Sequence, residues 1–163
     1  MNALVLGIGN ILLQDEGAGV RALQRIEQSY RLPEGVALLD GGTSGLDLLQ
    51  FFSGQQQLVI LDVARMNTRP GEIVRMEGEA VPAFFRHKIS PHQLGLSDLL
   101  AAARMTGELP ETVVFFGIEP FSLETGLELS PEVDRSLDRL AALVAAELSG
   151  FGFEMQRREA GSG

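Results

Sequence analysis

The sequence predicts an α/β protein built on a mainly parallel β-sheet. Short apolar runs, which have the length of buried strands, alternate along the chain with longer segments whose apolar residues recur at helical spacing. The 163 residues are most simply one domain, and the chain is long enough to bury a core. We place this domain at residues 1–150 and expect residues 151–163, which end in glycine and serine, to form a flexible tail.

The predicted strands are four apolar runs and one alternating segment. The runs are rich in Val, Leu, Ile and Phe, as in strands buried on both faces. The alternation of polar and apolar residues in the fifth segment indicates an edge strand. In chain order the predicted strands are residues 3–8, 36–40, 58–62, 72–77 (the alternating segment) and 113–118.

The predicted helices have apolar side chains at turn spacing. In the last of them, Val133, Leu137, Leu140, Val144 and Leu148 fall on one face. Residues 78–91 contain prolines, and we predict a loop there. The predicted helices are residues 17–30, 45–52, 91–105 and 131–149.

The composition limits the classes of function. The net charge of −9 argues against a nucleic-acid partner, and the absence of cysteine excludes disulfides, a thiolate nucleophile and cysteine-ligated metals. Because no apolar stretch reaches the roughly 18 residues of a membrane helix, we expect no membrane insertion. No basic region precedes the first apolar run, so a signal peptide is not predicted, and we expect a cytoplasmic protein.

Three acidic residues follow predicted strands. Glu16 lies past the first strand, Asp40 ends the second, and Asp62 ends the third. In open α/β sheets, ligands bind outside the carboxyl ends of the strands, and a flavodoxin-like strand order would place Glu16 and Asp62 beside the crevice between strands one and three. Together with a histidine, such carboxylates suit a borderline divalent metal such as nickel or zinc.

The histidine is His92, at the start of the predicted helix at residues 91–105. Ser90 suits the N-cap and Pro91 the first helical position, which places His92 in the first turn. The positive end of the helix dipole disfavours imidazolium there, and neutral imidazole is the form that binds metals. His87 lies between Arg86 and Lys88, and a solvated basic patch is the simpler interpretation for it.

Each acid also has a purely structural interpretation. Asp15 suits an acidic first turn stabilised by the helix dipole, and Glu16 fits this role or a site role equally well. Asp40 can cap the glycine turn that follows it. Asp62 can pair with Arg65 or Arg69, although a site role is favoured because a carboxylate buried after four apolar residues needs a strong partner. Glu119 precedes Pro120 and is assigned to the turn.

The glycines after the first strand suggest a nucleotide site that the rest of the loop does not support. Gly7 and Gly9 match the start of a dinucleotide fingerprint, but Leu12 occupies the position of its third small residue. The loop is also too long for the short strand-to-helix turn that a phosphate needs. A tight turn in which Asn10 bonds its own backbone is the favoured alternative.

Taken together, these motifs resemble those of the maturation endopeptidases of nickel–iron hydrogenases. The resemblance extends from Met1 to about Leu148. The pieces that carry it are Leu6-Gly7-Ile8-Gly9-Asn10, the segment at residues 12–20, Asp40-Gly41-Gly42-Thr43-Ser44-Gly45, Ile60-Leu61-Asp62 and Ser90-Pro91-His92. It implies a three-layer α/β/α sandwich with a mostly parallel five-stranded sheet that contains one antiparallel strand.

The resemblance also implies a substrate and a set of site residues. The partner would be the precursor of the hydrogenase large subunit, whose C-terminal extension is removed after nickel insertion. Glu16, Asp62 and His92 match the metal-contacting positions, and Asp40 matches a sensitive position that would be a base or an orienting residue. Nickel would be supplied by the substrate, and no organic cofactor is implied.

Two other functions stay open at this stage. The same ligands could serve a stand-alone metallohydrolase or aminopeptidase, and the glycine loop could serve a nucleotide-binding module. Serine hydrolases and ordinary zinc proteases lack support, because the chain has neither a G-x-S-x-G elbow nor an H-E-x-x-H motif. Phe84 and Phe85 are candidates for contact with the partner, and a core role fits them at least as well.

Overall fold

The computed structural model describes residues 1–86 and 91–159, without the side chains of residues 91–94. No helix in this part of the chain is both long and apolar enough to cross a bilayer. The strands are β1 (Ala3–Ile8), β2 (Tyr30–Arg31), β3 (Val36–Gly42), β4 (Gln57–Val63), β5 (Ile73–Glu77), β6 (Thr112–Ile118) and β7 (Gln156–Arg157). The α-helices are α1 (Ala18–Ser29), α2 (Ala80–Phe85), α3 (Pro91–Thr106) and α4 (Pro131–Gly150), and 3₁₀ helices cover Gln14–Gly17 and Leu46–Phe51.

The central sheet has five strands in the order β3-β1-β4-β6-β5. Strands β3, β1, β4 and β6 pair in parallel, and β5 pairs antiparallel with β6 at the edge. The predicted fold, a mostly parallel five-stranded sheet with one antiparallel edge strand, is therefore confirmed. The predicted order of the first three long strands is also confirmed, because β1 lies between β3 and β4.

Helices cover both faces of the sheet, because the strands bury alternate residues on opposite sides. One face of the sheet packs against α1 and α4, and the other packs against α2, α3 and the 3₁₀ helix Leu46–Phe51. At Gly19, α1 approaches the sheet so closely that a Cβ atom would overlap the carbonyl oxygen of Leu61. This contact fixes the start of α1 over β4, at the edge of the sheet where the candidate site lies.

The prediction of a loop over residues 78–91 is wrong at residues 80–85, which form α2. Pro82 is tolerated there because it lies in the first turn, where the backbone N–H has no helical partner. The helix buries Val81 and Phe85 completely, and the Phe85 ring packs edge-on against Phe115 with 4.9 Å between centroids. Phe85 therefore belongs to the core, and the partly buried Phe84 packs against the same cluster. The role in partner contact considered for these two residues is not supported for Phe85.

The segment after α4 is docked rather than loose over most of its length. Phe153 is buried in the core, and β7 pairs antiparallel with β2. The sequence suggested a flexible tail over residues 151–163 because the segment is short and polar, but that pattern does not reveal the pairing with β2. Residues 160–163 lie outside the described part of the chain.

Candidate active site

The candidate site lies at the edge of the sheet where β1, β3 and β4 end. Glu16 lies in the 3₁₀ turn between β1 and α1, while Asp40 and Asp62 lie near the ends of β3 and β4. Their placement follows from the topology, because parallel neighbours bring their carboxyl ends to the same edge.

Gly9 is the residue at which Glu16 and Asp62 come together. Its φ of +134° is unfavourable for a side chain, and a Cβ atom would overlap the backbone carbonyl oxygen of Glu16. The same Cβ position lies 3.5 Å from Oδ1 of Asp62. Gly9 therefore touches the backbone of one acidic residue and borders the carboxylate of the other. The second glycine of the supposed nucleotide fingerprint thus serves the packing of this site.

Asp62 is a buried carboxylate at the end of a central strand. Its exposed fraction is 1%, and Oδ1 accepts a hydrogen bond of 2.7 Å from the backbone N–H of Val63. Strand alternation places its side chain on the same face as Ile60 and Ala64, which belong to the cluster packed against α3. Asp62 thus faces the layer that carries His92.

Asp40 is exposed and shapes the turn after β3. Its Oδ1 accepts a hydrogen bond of 2.9 Å from the N–H of Gly42, as the capping interpretation predicted. The Gly42 carbonyl in turn accepts a 2.7 Å bond from the N–H of Gly9. Asp40 and Leu61 both pair with Gly7, so alternation directs Asp40 to the face opposite that of Asp62. Asp40 is therefore connected to Gly9 through the hydrogen bonds of the turn. The Asp40 side chain itself lies on the face of the sheet opposite that of Asp62.

His92 lies in the first turn of α3, which begins at Pro91 as predicted. Its side chain lies outside the described part of the chain, and so do Ser90 and His87. The backbone of Gly45 approaches that of Gly95, which brings the turn after β3 next to the start of α3. In the described part of the chain, no group of three or more His, Asp or Glu side chains forms a metal site. The predicted set of Glu16, Asp62 and His92 is not tested by this, and it stays a prediction.

Asp15 is a buried residue of the site region whose contacts the sequence did not reveal. It is fully buried, and its carboxylate accepts hydrogen bonds from the backbone N–H groups of Phe121, Ser122 and Ser130 and from the Ser130 hydroxyl. Asp15 therefore has a structural role, but it differs from the predicted one, because its carboxylate binds the segment before α4 and not the first turn of its own helix.

Glu119 has a comparable role in the loop that follows Asp62. Its exposed fraction is 4%, and its Oε1 accepts hydrogen bonds from the backbone N–H groups of Met66 and Thr68 and from the Thr68 hydroxyl. The partners of Asp15 and Glu119 are between 51 and 115 residues away in the chain. Local patterns in the sequence therefore give no signal for these bonds.

Large apolar side chains are exposed on the two loops beside Glu16. Ile11, Leu12, Phe121 and Leu127 have exposed fractions from 39% to 62%. The loops are joined by backbone hydrogen bonds, from the N–H of Gly126 to Leu12 and from the N–H of Gln14 to Gly126. We call these four residues the apolar rim. Large exposed apolar side chains next to a site are typical of protein–protein contact surfaces.

Comparison with known proteins identifies relatives over almost the whole chain. Residues 20–147 match the family model described as hydrogenase maturation protease. The chain is 45% identical over 161 residues to the Hydrogenase 2 maturation protease of Escherichia coli, with 98% of each protein covered.

Solved structures agree with this match. The hydrogenase maturating endopeptidase HybD from E. coli superposes with a TM-score of 0.93 at 44% identity, covering 97% of this chain and 98% of the other. The [NiFe] hydrogenase maturation protease HybD from Thermococcus kodakarensis superposes with a TM-score of 0.74 at 30% identity, covering 91% and 99%.

Proposed function

Because the chain belongs to the hydrogenase maturation proteases, we propose that this endopeptidase removes the C-terminal extension of a nickel–iron hydrogenase large-subunit precursor, and that nickel held by the precursor is its recognition element. In this proposal, Glu16, Asp62 and His92 contact the nickel of the substrate. The enzyme itself needs no resident metal and no organic cofactor.

The convergence of Glu16 and Asp62 at Gly9 is the observation that carries the proposal. The backbone of Glu16, in the turn before α1, and the carboxylate of Asp62, near the end of β4, both border Gly9. The Asp62 carboxylate lies on the face covered by α3, which carries His92 in its first turn. Oxygen and nitrogen donors of this kind suit a borderline divalent ion. A site made of three protein ligands leaves coordination positions for groups of the substrate.

Nickel brought by the substrate would link recognition to chemistry. A metal ion near the scissile bond polarises a carbonyl group or lowers the pKa of a bound water. The protein residues would fix the position of that ion, and with it the register of the segment to be cut. Holding the reacting groups in a fixed geometry is itself a large part of catalysis.

For Asp40, the placement supports an orienting role over that of a base. Its Oδ1 accepts a hydrogen bond from the N–H of Gly42, and the Gly42 carbonyl accepts one from the N–H of Gly9. Gly9 is the residue that both Glu16 and Asp62 border. Its exposed side chain is directed to the face opposite that of Asp62 by strand alternation. We therefore assign Asp40 to the shaping of the turn next to Gly9.

The apolar rim supports a protein substrate rather than a free peptide or a small molecule. Its four side chains are exposed on loops that flank the turn carrying Glu16. Burying such side chains against a folded partner would supply binding energy away from the scissile bond.

Incubation with purified nickel-containing precursor, followed by mass measurement of the product, tests the proposed function. We expect one cleavage that removes a C-terminal peptide, and we expect Glu16→Gln, Asp62→Asn and His92→Ala to lose it while staying folded. Efficient hydrolysis of short unrelated peptides, with the precursor left uncut, would instead favour a stand-alone metallopeptidase.

A further inference from the structure

Residues 119–122 link the segments that carry Glu16 and Asp62. This short stretch follows β6, and we call it the brace. A buried carboxylate makes hydrogen bonds on each side of the brace. On the β1 side, Asp15, which precedes Glu16, binds the brace. On the β4 side, Glu119, the first residue of the brace, binds the loop after β4.

On the β1 side, Asp15 and the brace bind each other in both directions. The carboxylate of Asp15 accepts the N–H groups of Phe121 at 2.8 Å and Ser122 at 2.9 Å, and its own N–H donates to the Ser122 carbonyl at 3.1 Å. The same carboxylate accepts the N–H of Ser130 at 2.7 Å and its hydroxyl at 2.9 Å. These bonds fix the backbone one residue before Glu16.

On the β4 side, Glu119 holds the loop that follows Asp62. Its Oε1 accepts the N–H of Met66 at 2.8 Å and of Thr68 at 2.9 Å. Its backbone donates to the Glu72 carbonyl and accepts from the N–H of Gly71. Pro120, with its restricted φ, then joins this anchored residue to Phe121. A shift at either side of the brace is thereby transmitted to the other.

We propose that Asp15 and Glu119 are positioning residues that, through the brace, set the separation of Glu16 and Asp62 for binding the nickel of the substrate. This inference rests on the proposed function and adds residues that do not themselves touch the metal. Groups that orient metal ligands typically change metal affinity by about 10- to 100-fold when they are altered.

Asp15→Ala and Ser130→Ala form a matched pair for the β1 side. Asp15→Ala removes Oδ2, the one oxygen that accepts the N–H groups of both Phe121 and Ser122, and so breaks the side-chain contact with the brace. Ser130→Ala removes one bond to Asp15 and the N-cap bond to Val133, but it leaves the bonds from Asp15 to the brace. We expect both variants to be less stable, and only Asp15→Ala to bind nickel more weakly.

Glu119→Ala and Glu119→Gln form the pair for the β4 side. Alanine removes the acceptor of Met66 and Thr68, whereas the glutamine oxygen can take the place of Oε1 and retain it. We expect the alanine variant to bind nickel about tenfold more weakly and the glutamine variant to recover most of that loss.

Calorimetric titration of nickel chloride into the folded variants, read beside their melting temperatures, is the test. Weaker binding in Asp15→Ala and Glu119→Ala, with Ser130→Ala and Glu119→Gln near the wild-type affinity, would support the proposal. In the double variant Asp15→Ala/Glu119→Ala, we expect a loss smaller than the product of the single losses, because both act through one brace.

Other outcomes would overturn the inference in distinguishable ways. If nickel affinity merely follows melting temperature across all variants, or if the double variant shows the full product of the single losses, the brace has no positioning role, and the proposed function stands. If Glu16→Gln and Asp62→Asn bind nickel like the wild type, the proposed site itself fails and the inference fails with it. Kinetics with precursor give a second readout, since positioning should raise KM more than it lowers kcat.

Discussion

At the residue scale, the acids beside the sheet edge fall into two groups. Asp15 and Glu119 are buried and hold backbone N–H groups of distant loops. Glu16 and Asp62 border Gly9 at the edge of the sheet, where Glu16 is half-buried and Asp62 is 1% exposed. The sequence predicted where Glu16 and Asp62 lie, because each follows a visible apolar run. It did not reveal the partners of Asp15 and Glu119, because these depend on contacts between segments far apart in the chain.

Substitutions of Asp40 distinguish an orienting role from that of a general base. Asp40→Asn keeps an oxygen for the N–H of Gly42, so we expect processing within about threefold of wild type, while Asp40→Ala should lose about 10- to 100-fold. Steady-state kinetics with precursor measure both variants. A general base contributes about 10²- to 10⁴-fold, so a loss of that size in Asp40→Asn would contradict the orienting role.

A substitution of Asp62 distinguishes a loss of activity from a loss of folding. Asp62→Asn keeps the shape of the side chain and an acceptor for the N–H of Val63, but it removes the charge that a cation needs. We expect processing to be abolished and the free energy of unfolding to change by less than about 1 kcal/mol, which is about 2–4 °C in Tm. Thermal melts beside the processing assay measure this. A loss of many degrees would make Asp62 a structural residue.

At the element scale, the long strands and helices were predictable and the short elements were not. The apolar runs of β1, β4 and β6 are buried throughout, and α4 has a regular apolar face with Ser130 as N-cap. The short α2 was predicted as loop because Pro82 suggests one, although Val81 and Phe85 show helical spacing. The pairing of β7 with β2 joins two-residue strands, whose length carries no periodic signal.

We expect the loops after β1 and β6, which present the apolar rim, to contact the precursor. Phe121→Ser removes a ring that is 61% exposed and retains the backbone N–H that Asp15 accepts, so the fold should be unchanged. We expect KM for precursor to rise about fivefold or more, as for loss of about 1 kcal/mol at an interface.

Met105→Ser is the matched control for that substitution. Met105 is 87% exposed near the end of α3, about 20 Å along the helix from His92. An equal rise in KM for both variants would mean that the apolar rim has no special role. An unchanged KM in Phe121→Ser would exclude this residue from the contact with the precursor.

At the scale of the whole molecule, the fold accounts for a protease without the familiar motifs of serine and zinc enzymes. Parallel strands deliver Glu16 and Asp62 to one edge, Gly9 lets their segments approach, and α3 covers the same face as Asp62 with His92 at its start. In the proposed mechanism, such a site is completed by the metal of its substrate. Recognition of nickel then serves as the check that the precursor is ready to be cut.

Nickel dependence is the central claim, and one measurement tests it most directly. Enzyme treated with a chelator and then freed of it is incubated with precursor prepared with and without nickel, and the product masses are compared. We expect the nickel-containing precursor to be cut at the wild-type rate and the nickel-free precursor to stay intact. Rapid cleavage of nickel-free precursor by chelator-treated enzyme would contradict the account and leave a protease that does not use the metal.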